Sequence, residues 1–244
     1  SFDVIFNAQP YFSPLLADIP NCRIVAIPPG FDERRFPRGL MFDDSPLVDI
    51  AFIGQTGIAG LEYPYEDAFG HYATKPPATL PPEGNVKRYA FHGHPGFDYA
   101  ERAELLIRLC RDFSVRLYDA VWETPNFQRC LQTGAIGFNR SLLGDISIRC
   151  LEIMASHRLL ITDDVPMLNV IGKEGEHYRT FGRWFRPFFA NFTLEYEYVK
   201  KLARYYLDHN VEREQIVKNG CTLAWEKHTW KHKAASMIAS MFEY

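Results

Sequence analysis

The sequence predicts an α/β fold, in which a doubly wound, mostly parallel sheet is followed by a helical C-terminal tail. Short, continuous apolar runs recur along the chain, and such runs are typical of parallel strands that are covered on both faces. Between residues 48 and about 172, helical patterns separate these runs, which is the alternation of an α/β layer. Three helical segments follow at 193–209, 211–228 and 230–244, and they predict the tail.

Six apolar runs predict the strands, at 3–6, 23–27, 48–54, 115–118, 135–139 and 159–162. Helices are predicted between the later strands, over 99–113, 125–133 and 147–156. In the first helix of the tail, one apolar stripe predicts the face turned to the core, and it consists of Leu194, Tyr198, Leu202, Tyr205 and Tyr206. Residues 55–98 are rich in proline and lack a sustained period, so a long loop or an inserted excursion is predicted there.

Composition excludes several classes of function. The 244 residues carry a formal net charge of −3, which argues against strong nonspecific binding to nucleic acid. The most basic segment, 227–233, is interpreted as a solvated helix face rather than a nucleic-acid contact. The five cysteines form no C-x-x-C pair and predict reduced thiols. No apolar run reaches the roughly 20 residues of a membrane span, so we expect a cytoplasmic protein without a transmembrane segment.

The strongest functional signal is a charged pair inside the apolar run SIRCLEIMASHRLLITDD, residues 147–164. Ser147 is a fitting N-cap for the helix, so Arg149 falls in the first turn. A cation there is unfavourable against the helix dipole unless an anion is bound. Glu152, one turn further on, can accept two hydroxyl hydrogen bonds, as a ribose requires. Together they predict a site for a phosphorylated, ribose-containing ligand.

The structural alternative is that Arg149 and Glu152 form an ion pair three residues apart. Such pairs contribute only about 0.2–0.5 kcal/mol on a helix surface. Burying a pair costs several kcal/mol unless it is fully hydrogen-bonded. Because this helix is strongly apolar, the functional interpretation is favoured over the structural one.

Two other clusters give weaker signals. Gly54, Gly57 and Gly60 follow a predicted strand but do not match G-x-G-x-x-G, and no helical pattern follows them. A nicotinamide-dependent oxidoreductase is therefore a minor hypothesis, whereas a tight turn that lets backbone approach a ligand is reasonable. His92 and His94 lie two residues apart with no third ligand suggested, and no metal site is predicted.

The order of these residues resembles the C-terminal half of the glycosyltransferases related to the spore-maturation protein CgeB, within the GT-B group. Such sequences have an arginine, a glutamate three positions later, an apolar strand and then acids, matched here by Arg149, Glu152 and 159–164. A later helix ends in His-Thr-aromatic, as at 228–230. Residues 25–37 resemble the linker before the donor domain, and 48–54 resemble that domain's first strand.

The resemblance implies a Rossmann-like donor domain that binds a nucleotide-diphosphate sugar. Glu152 would hold the ribose hydroxyls, and no catalytic metal or other cofactor is expected. The remaining donor-binding residues would be Arg149 and the backbone at Asp145, Ile146 and Ser147 for the diphosphate, with Arg102 and Gly54 beside them. The implied function is transfer of a sugar to an unknown acceptor, with Arg149 and Glu152 as the catalytic-site residues. The alternative is a non-catalytic nucleotide-sugar-binding or scaffold subunit that pairs through 182–189.

The resemblance also implies a domain division. Residues 1–40 are interpreted as the remainder of an N-terminal domain with its linker, and 41–244 as the donor domain with the 55–98 insertion. The expected partners are the donor, the acceptor, and an N-terminal domain or partner subunit. Where related sequences have Cys-Gly after the helix, this chain has Ser156-His157, so a residue other than glycine is predicted in the left-handed conformation there.

Overall fold

The computed structural model describes residues 4–7, 22–36, 46–54, 56, 62–66, 72–75, 100–118, 127–141, 144–183 and 192–242. The strands are β1 Val4–Asn7, β2 Arg23–Ala26, β3 Val48–Ile53, β4 Glu62–Glu66, β5 Tyr72–Lys75, β6 Val115–Tyr118, β7 Gly134–Phe138, β8 Leu159–Asp164 and β9 Arg179–Arg183. The helices are α1 Ala100–Asp112, α2 Phe127–Gln132, α3 Ile148–Ala155, α4 Phe192–Asp208, α5 Asn210–Lys227 and α6 Trp230–Met241.

The main sheet has seven strands in the order β4-β5-β6-β3-β7-β8-β9. The five strands from β6 to β9 pair in parallel, so the prediction of a doubly wound, mostly parallel sheet is confirmed. After β4 and β5, the chain enters the sheet at β6, on one side of β3, and later enters it again at β7, on the other side of β3. The strand order therefore reverses between β3 and β7, and ligands of such sheets bind beside the carboxyl ends of the two strands at the reversal.

The insertion contains strands that the sequence did not predict. β4 and β5 pair antiparallel, and β5 joins the edge of the main sheet through an antiparallel bridge between Thr74 and Leu117 of β6. These short strands could not be predicted because residues 55–98 are rich in proline and lack a sustained period.

The domain boundaries at 40 and 41 stay a prediction. β1 and β2 form a separate parallel pair.

Two apolar clusters cover the main sheet. Along β8, Leu159 and Ile161 belong to the cluster with α1, α4 and α5, whereas Leu160 belongs to the cluster with α2 and α3. Successive side chains of a strand point to opposite faces, so the sheet is buried on both sides. This burial explains why the strands appear in the sequence as continuous apolar runs.

The predicted stripe on α4 is only partly correct. Leu202 and Tyr206 are buried as expected, but Leu194, Tyr198 and Tyr205 are 68%, 49% and 43% exposed. A second stripe one position away contacts the core instead, and it consists of Tyr196, Val199, Ala203 and Tyr206. Two overlapping apolar stripes made the helix face ambiguous from periodicity alone.

The segment around Phe31, which the sequence predicts to be part of a linker, is hydrogen-bonded to the junction of α5 and α6. The N–H of Phe31 donates to the carbonyl of His228 (3.0 Å), and the N–H of Trp230 donates to the carbonyl of Phe31 (2.9 Å). Lys233 Nζ donates to Nδ1 of His228 over 2.9 Å. Because His228, Thr229 and Lys233 are buried, the interpretation of 227–233 as a solvated face is wrong for these three residues.

We expect acid to destabilise this junction through His228. Burial, with the positive charges of Lys233 and Lys227, lowers the pKa of His228 from 6.5 to about 4. The folded state therefore binds fewer protons than the unfolded state between these values, and stability falls as the pH drops from 6.5 towards 4. The full loss is on the order of 3 kcal/mol. Urea unfolding at several pH values measures it.

The matched control is His228→Asn, whose amide oxygen can still accept from Lys233 but does not titrate. The acid-dependent loss should be smaller in this variant by the contribution of His228. Equal pH dependence in the two proteins would show that His228 does not carry the effect.

Candidate functional site

Helix α3 begins at the edge of the sheet where the strand order reverses. β7 ends at Phe138, and the chain passes through the loop to Ser147. Ser147 has extended backbone angles, and its side chain accepts a hydrogen bond from the N–H of Arg149 (3.2 Å). The predicted N-cap is therefore confirmed. The N-terminal end of α3, with the partial positive charge of its aligned peptide groups, therefore lies at the edge of the sheet where the strand order predicts a ligand.

Arg149 and Glu152 contact each other. Nη1 of Arg149 donates to Oε2 of Glu152 over 2.6 Å, and the two side chains are 9% and 5% exposed. The ion-pair alternative thus describes their contact correctly. Within the described residues this bond is the single side-chain hydrogen bond of the pair. A guanidinium has five N–H donors and a carboxylate has two oxygens, so most of the pair's hydrogen-bonding capacity is unused.

Phe127 lies beside this pair and joins it to the linker. The guanidinium carbons of Arg149 and of Arg35 each lie 4.6 Å from the centroid of its ring. This distance is within the range of a cation–π contact. Arg35 ends the single turn of 3-10 helix at Glu33–Arg35. Sequence reasoning missed both Arg35 and Phe127, because nothing in their spacing relates them to residues 149–152.

Burial dominates the electrostatics of the pair. It raises the pKa of Glu152 above its ordinary value, and the guanidiniums of Arg149 and Arg35 limit this rise. Burial also lowers the pKa of Arg149, which the carboxylate of Glu152 opposes. The ionised form of Glu152 therefore depends on the neighbouring guanidiniums, whereas Arg149 stays charged and is stabilised by the carboxylate.

A second buried network follows β7 and β8. Arg140 Nη1 donates to Asp163 over 2.7 Å, and the two side chains are fully buried or nearly so. The N–H of Ser141 donates to the other carboxylate oxygen of Asp163 (2.9 Å), and Asn139 donates to Thr162 (3.0 Å). These bonds fix the chain where it leaves β7.

The position of Asp163 and Asp164 after the apolar run at 159–162 predicts that they cap the next helix, in a structural rather than a catalytic role. The capping prediction is wrong, whereas the bonds of Asp163 to Arg140 and Ser141 are structural. β8 extends to Asp164, and the next 3-10 turn, Leu168–Ile171, has Met167 at its cap position. The position of these polar residues in the sequence could have indicated the buried network. Polar residues follow two neighbouring buried strands directly, and the carboxyl ends of parallel strands lie at the same edge of the sheet.

The loop before α3 holds the residues predicted to contact a diphosphate. Ser141 Oγ donates to the carboxylate of Asp145 (2.9 Å) and contacts its carbonyl (3.1 Å). Ile146 is buried, and Ser147 caps the helix. The backbone of 145–147 is therefore fixed next to the first turn of α3. Whether it binds an anion stays a prediction.

Arg102 and Gly54 lie near the same edge. Nε of Arg102 donates to the carbonyl of Arg140 over 3.0 Å, and Nη2 donates to the same oxygen. These bonds make Arg102 a support for the loop that leaves β7. Gly54 follows β3 with φ of +141°, a conformation that residues with a Cβ rarely adopt, which fits the predicted tight turn. Gly57, Gly60, His92 and His94 lie outside the described residues.

The C-terminal end of α3 also follows the sequence prediction. His157 has φ of +60°, so a residue other than glycine does occupy the left-handed position. The N–H of Ser156 donates to the carbonyl of Glu152 (3.0 Å), and the N–H of His157 donates to that of Met154 (3.1 Å). The helix that holds the charged pair is thus capped at both ends.

The strand order and the helix terminus at the reversal point place the chain in the class of doubly wound α/β domains. The chain belongs to the glycosyl transferase-like family, which matches residues 87–239, more than half of its length. No protein with a curated description matches the chain by sequence.

Solved structures share this fold at low sequence identity. HepE from Anabaena, in complex with UDP and glucose, has a TM-score of 0.60 and 11% identity, over 99% of this chain and 64% of its own. A glycosyltransferase from Rickettsia africae has a TM-score of 0.59 and 10% identity, over 97% and 62%. Sucrose-phosphate synthase from Thermosynechococcus elongatus has 0.53 and 11%, over 98% and 57%. The chain therefore has a Rossmann-like GT-B fold and spans less than two thirds of each relative's length.

Single substitutions in the charged pair should cost much more stability than removal of the whole pair. Arg149→Met or Glu152→Leu alone leaves one buried charge without its partner, at a cost of about 3–5 kcal/mol. Arg149→Met/Glu152→Leu removes both charges and should be neutral or slightly stabilising, because methionine also packs well on the Phe127 ring. Chemical unfolding of the three variants measures the difference. Additive losses in the double variant would contradict it.

Proposed function

We propose that this chain is the donor-binding part of a glycosyltransferase that moves a sugar from a nucleotide-diphosphate sugar to an acceptor. The family match and the fold support this proposal. The observation that carries it is the charged pair at the reversal point of the sheet. Arg149 and Glu152 are buried there, with one hydrogen bond between them.

The unused hydrogen-bonding capacity of the pair is what a bound donor would satisfy. Oε1 of Glu152 would accept from the ribose hydroxyls while Oε2 keeps its bond to Arg149. Arg149 and the backbone N–H groups at 145–147 would face the diphosphate. A buried ion pair is stabilised only when its remaining donors and acceptors are also paired, so the ligand would complete an arrangement that the protein leaves incomplete.

The same groups would assist the transfer step. Breaking the bond between sugar and diphosphate develops negative charge on the leaving phosphate. A fixed cation and the partial positive charge at the start of α3 would stabilise that charge without reorganisation. Glu152 and Arg149 would hold the donor in place. Arg102 would act indirectly, through the carbonyl of Arg140, and Gly54 would let β3 approach the nucleotide. The proposal assigns no metal to this step.

Uridine diphosphate is the first ligand to test. HepE and the pneumococcal O-GlcNAc transferase GtfA were both solved with UDP. The finer relationship to CgeB-like enzymes is part of this proposal, and it rests on Arg149, Glu152 and 228–230. The acceptor site is assigned to an N-terminal domain or a partner subunit. None of the helices in the described part of the chain is long and apolar enough to cross a bilayer, and a cytoplasmic location stays a prediction.

The test is calorimetric titration of UDP and GDP into Arg149→Met/Glu152→Leu, which is expected to keep its fold. Hydrogen bonds to charged groups contribute about 1.5–3 kcal/mol each, so affinity should fall about tenfold or more. Unchanged affinity in a folded double variant would contradict the assignment. Tighter binding of a nicotinamide dinucleotide than of either diphosphate would favour the oxidoreductase hypothesis.

The matched control is Arg108→Met/Glu104→Leu on α1. This pair is also ionic, at 2.8 Å, and its arginine also lies over an aromatic ring, that of Tyr196. It does not lie at the carboxyl edge where α3 begins. Removing it should leave nucleotide affinity unchanged, and that result would separate a local effect from the general loss of an ion pair.

A further inference from the structure

Arg35 contacts the proposed site from outside the donor domain. It belongs to the turn at 32–36, which we call the linker turn. Its guanidinium carbon lies 4.6 Å from the centroid of the Phe127 ring, the same distance as that of Arg149. One buried ring therefore receives one cation from the linker turn and one from α3.

The ring that both cations contact is buried and packed against other aromatic rings. Phe127 is 2% exposed, and Phe36 packs edge-on against it with centroids 5.9 Å apart. Phe36 in turn packs edge-on against Phe31 at 5.5 Å, and Phe31 is hydrogen-bonded to the chain at 228–230. The linker turn is thus held on both sides, and the position of Arg35 is coupled to that of the ring under Arg149.

The charge of Arg35 also acts on the pair. The charged groups that act on Glu152 are Arg149, from its own helix, and Arg35, from the linker turn. Both favour the ionised carboxylate, and burial opposes them. Arg35 also disfavours the charged form of Arg149, which is repulsion between two cations near one ring.

We propose that Arg35 is a positioning residue for the donor site, which fixes the Phe127 ring beside Arg149 and thereby the arrangement of the charged pair. This inference rests on the proposed function, because it concerns the same site. It adds that the linker is part of the binding apparatus. A change in the linker turn would then alter donor affinity through Phe127 and Glu152, without a contact between Arg35 and the donor.

The adjacent Arg34 offers a matched control. Its side chain is 86% exposed, and it is bound twice to Asp32, at 2.8 Å each. It has the same charge and lies in the same turn as Arg35. Arg34→Gln therefore changes the net charge of the linker turn as Arg35→Gln does, but leaves the Phe127 ring and Glu152 in place.

The experiment measures UDP affinity between pH 5 and 8 for the wild type, Arg35→Gln, Arg35→Lys and Arg34→Gln. Arg35→Gln should weaken binding by about two- to fivefold at neutral pH, from loss of its cation–π contact with Phe127 and of its charge near Glu152. Its affinity should also start to fall at a higher pH than in the wild type, because the pKa of Glu152 rises without Arg35. Arg35→Lys should restore the pH profile, and Arg34→Gln should match the wild type.

A readout without nucleotide separates this inference from the proposed function. The carboxyl carbon signal of Glu152, followed by NMR in the free protein, should titrate at a higher pH in Arg35→Gln than in the wild type and Arg34→Gln. If the Glu152 titration in Arg35→Gln is unchanged and UDP binding is unchanged or uniformly weaker at all pH values, the role of Arg35 is overturned. The proposed donor site would not be affected by that result. A shifted titration in a protein that binds no nucleoside diphosphate would instead reject the proposed function.

Discussion

Two opposite charges buried at the first turns of an apolar helix are the constraint around which the rest of the molecule is arranged. Removing a guanidinium and a carboxylate from water costs several kcal/mol for each ion, and a single mutual hydrogen bond does not recover it. Arg149 and Glu152 are placed in this way, with one bond of 2.6 Å between them. Such an arrangement is stabilised by a further polar partner, and a nucleotide-diphosphate sugar has the ribose hydroxyls and phosphate oxygens that fit it.

The fold supplies what this arrangement needs. A sheet covered on both faces fixes β7 and β8, and the buried bond between Arg140 and Asp163 fixes the chain where those strands end. α3 packs closely on the sheet, because a Cβ placed on Gly137 would lie only 2.4 Å from Ile153. The turn at 32–36, together with Phe31, packs against Phe127 through Phe36 and Arg35. The charged pair is thus supported both by the sheet with its helices and by this turn.

Most of the fold could be predicted because it follows from local periodicity. The continuous runs gave β3, β6, β7 and β8, and Ser147 and His157 were predicted at the two ends of α3. The rest depends on contacts between distant segments. Phe127 joins Arg35 to Arg149, and Lys233 is buried against His228. Charge and spacing along the chain do not reveal such contacts. The buried Lys233 was therefore interpreted as solvated, and the ring of Phe127 beside the pair was missed.

The most direct test is a crystal structure of the chain bound to UDP. We expect the ribose hydroxyls to lie within hydrogen-bonding distance of Glu152 Oε1, about 2.5–3.2 Å. Arg149 should retain its bond to Oε2, and the diphosphate should face the backbone N–H groups at 145–147. UDP bound elsewhere, or at this edge with Glu152 in contact with protein alone, would contradict it and make the pair a structural feature of α3.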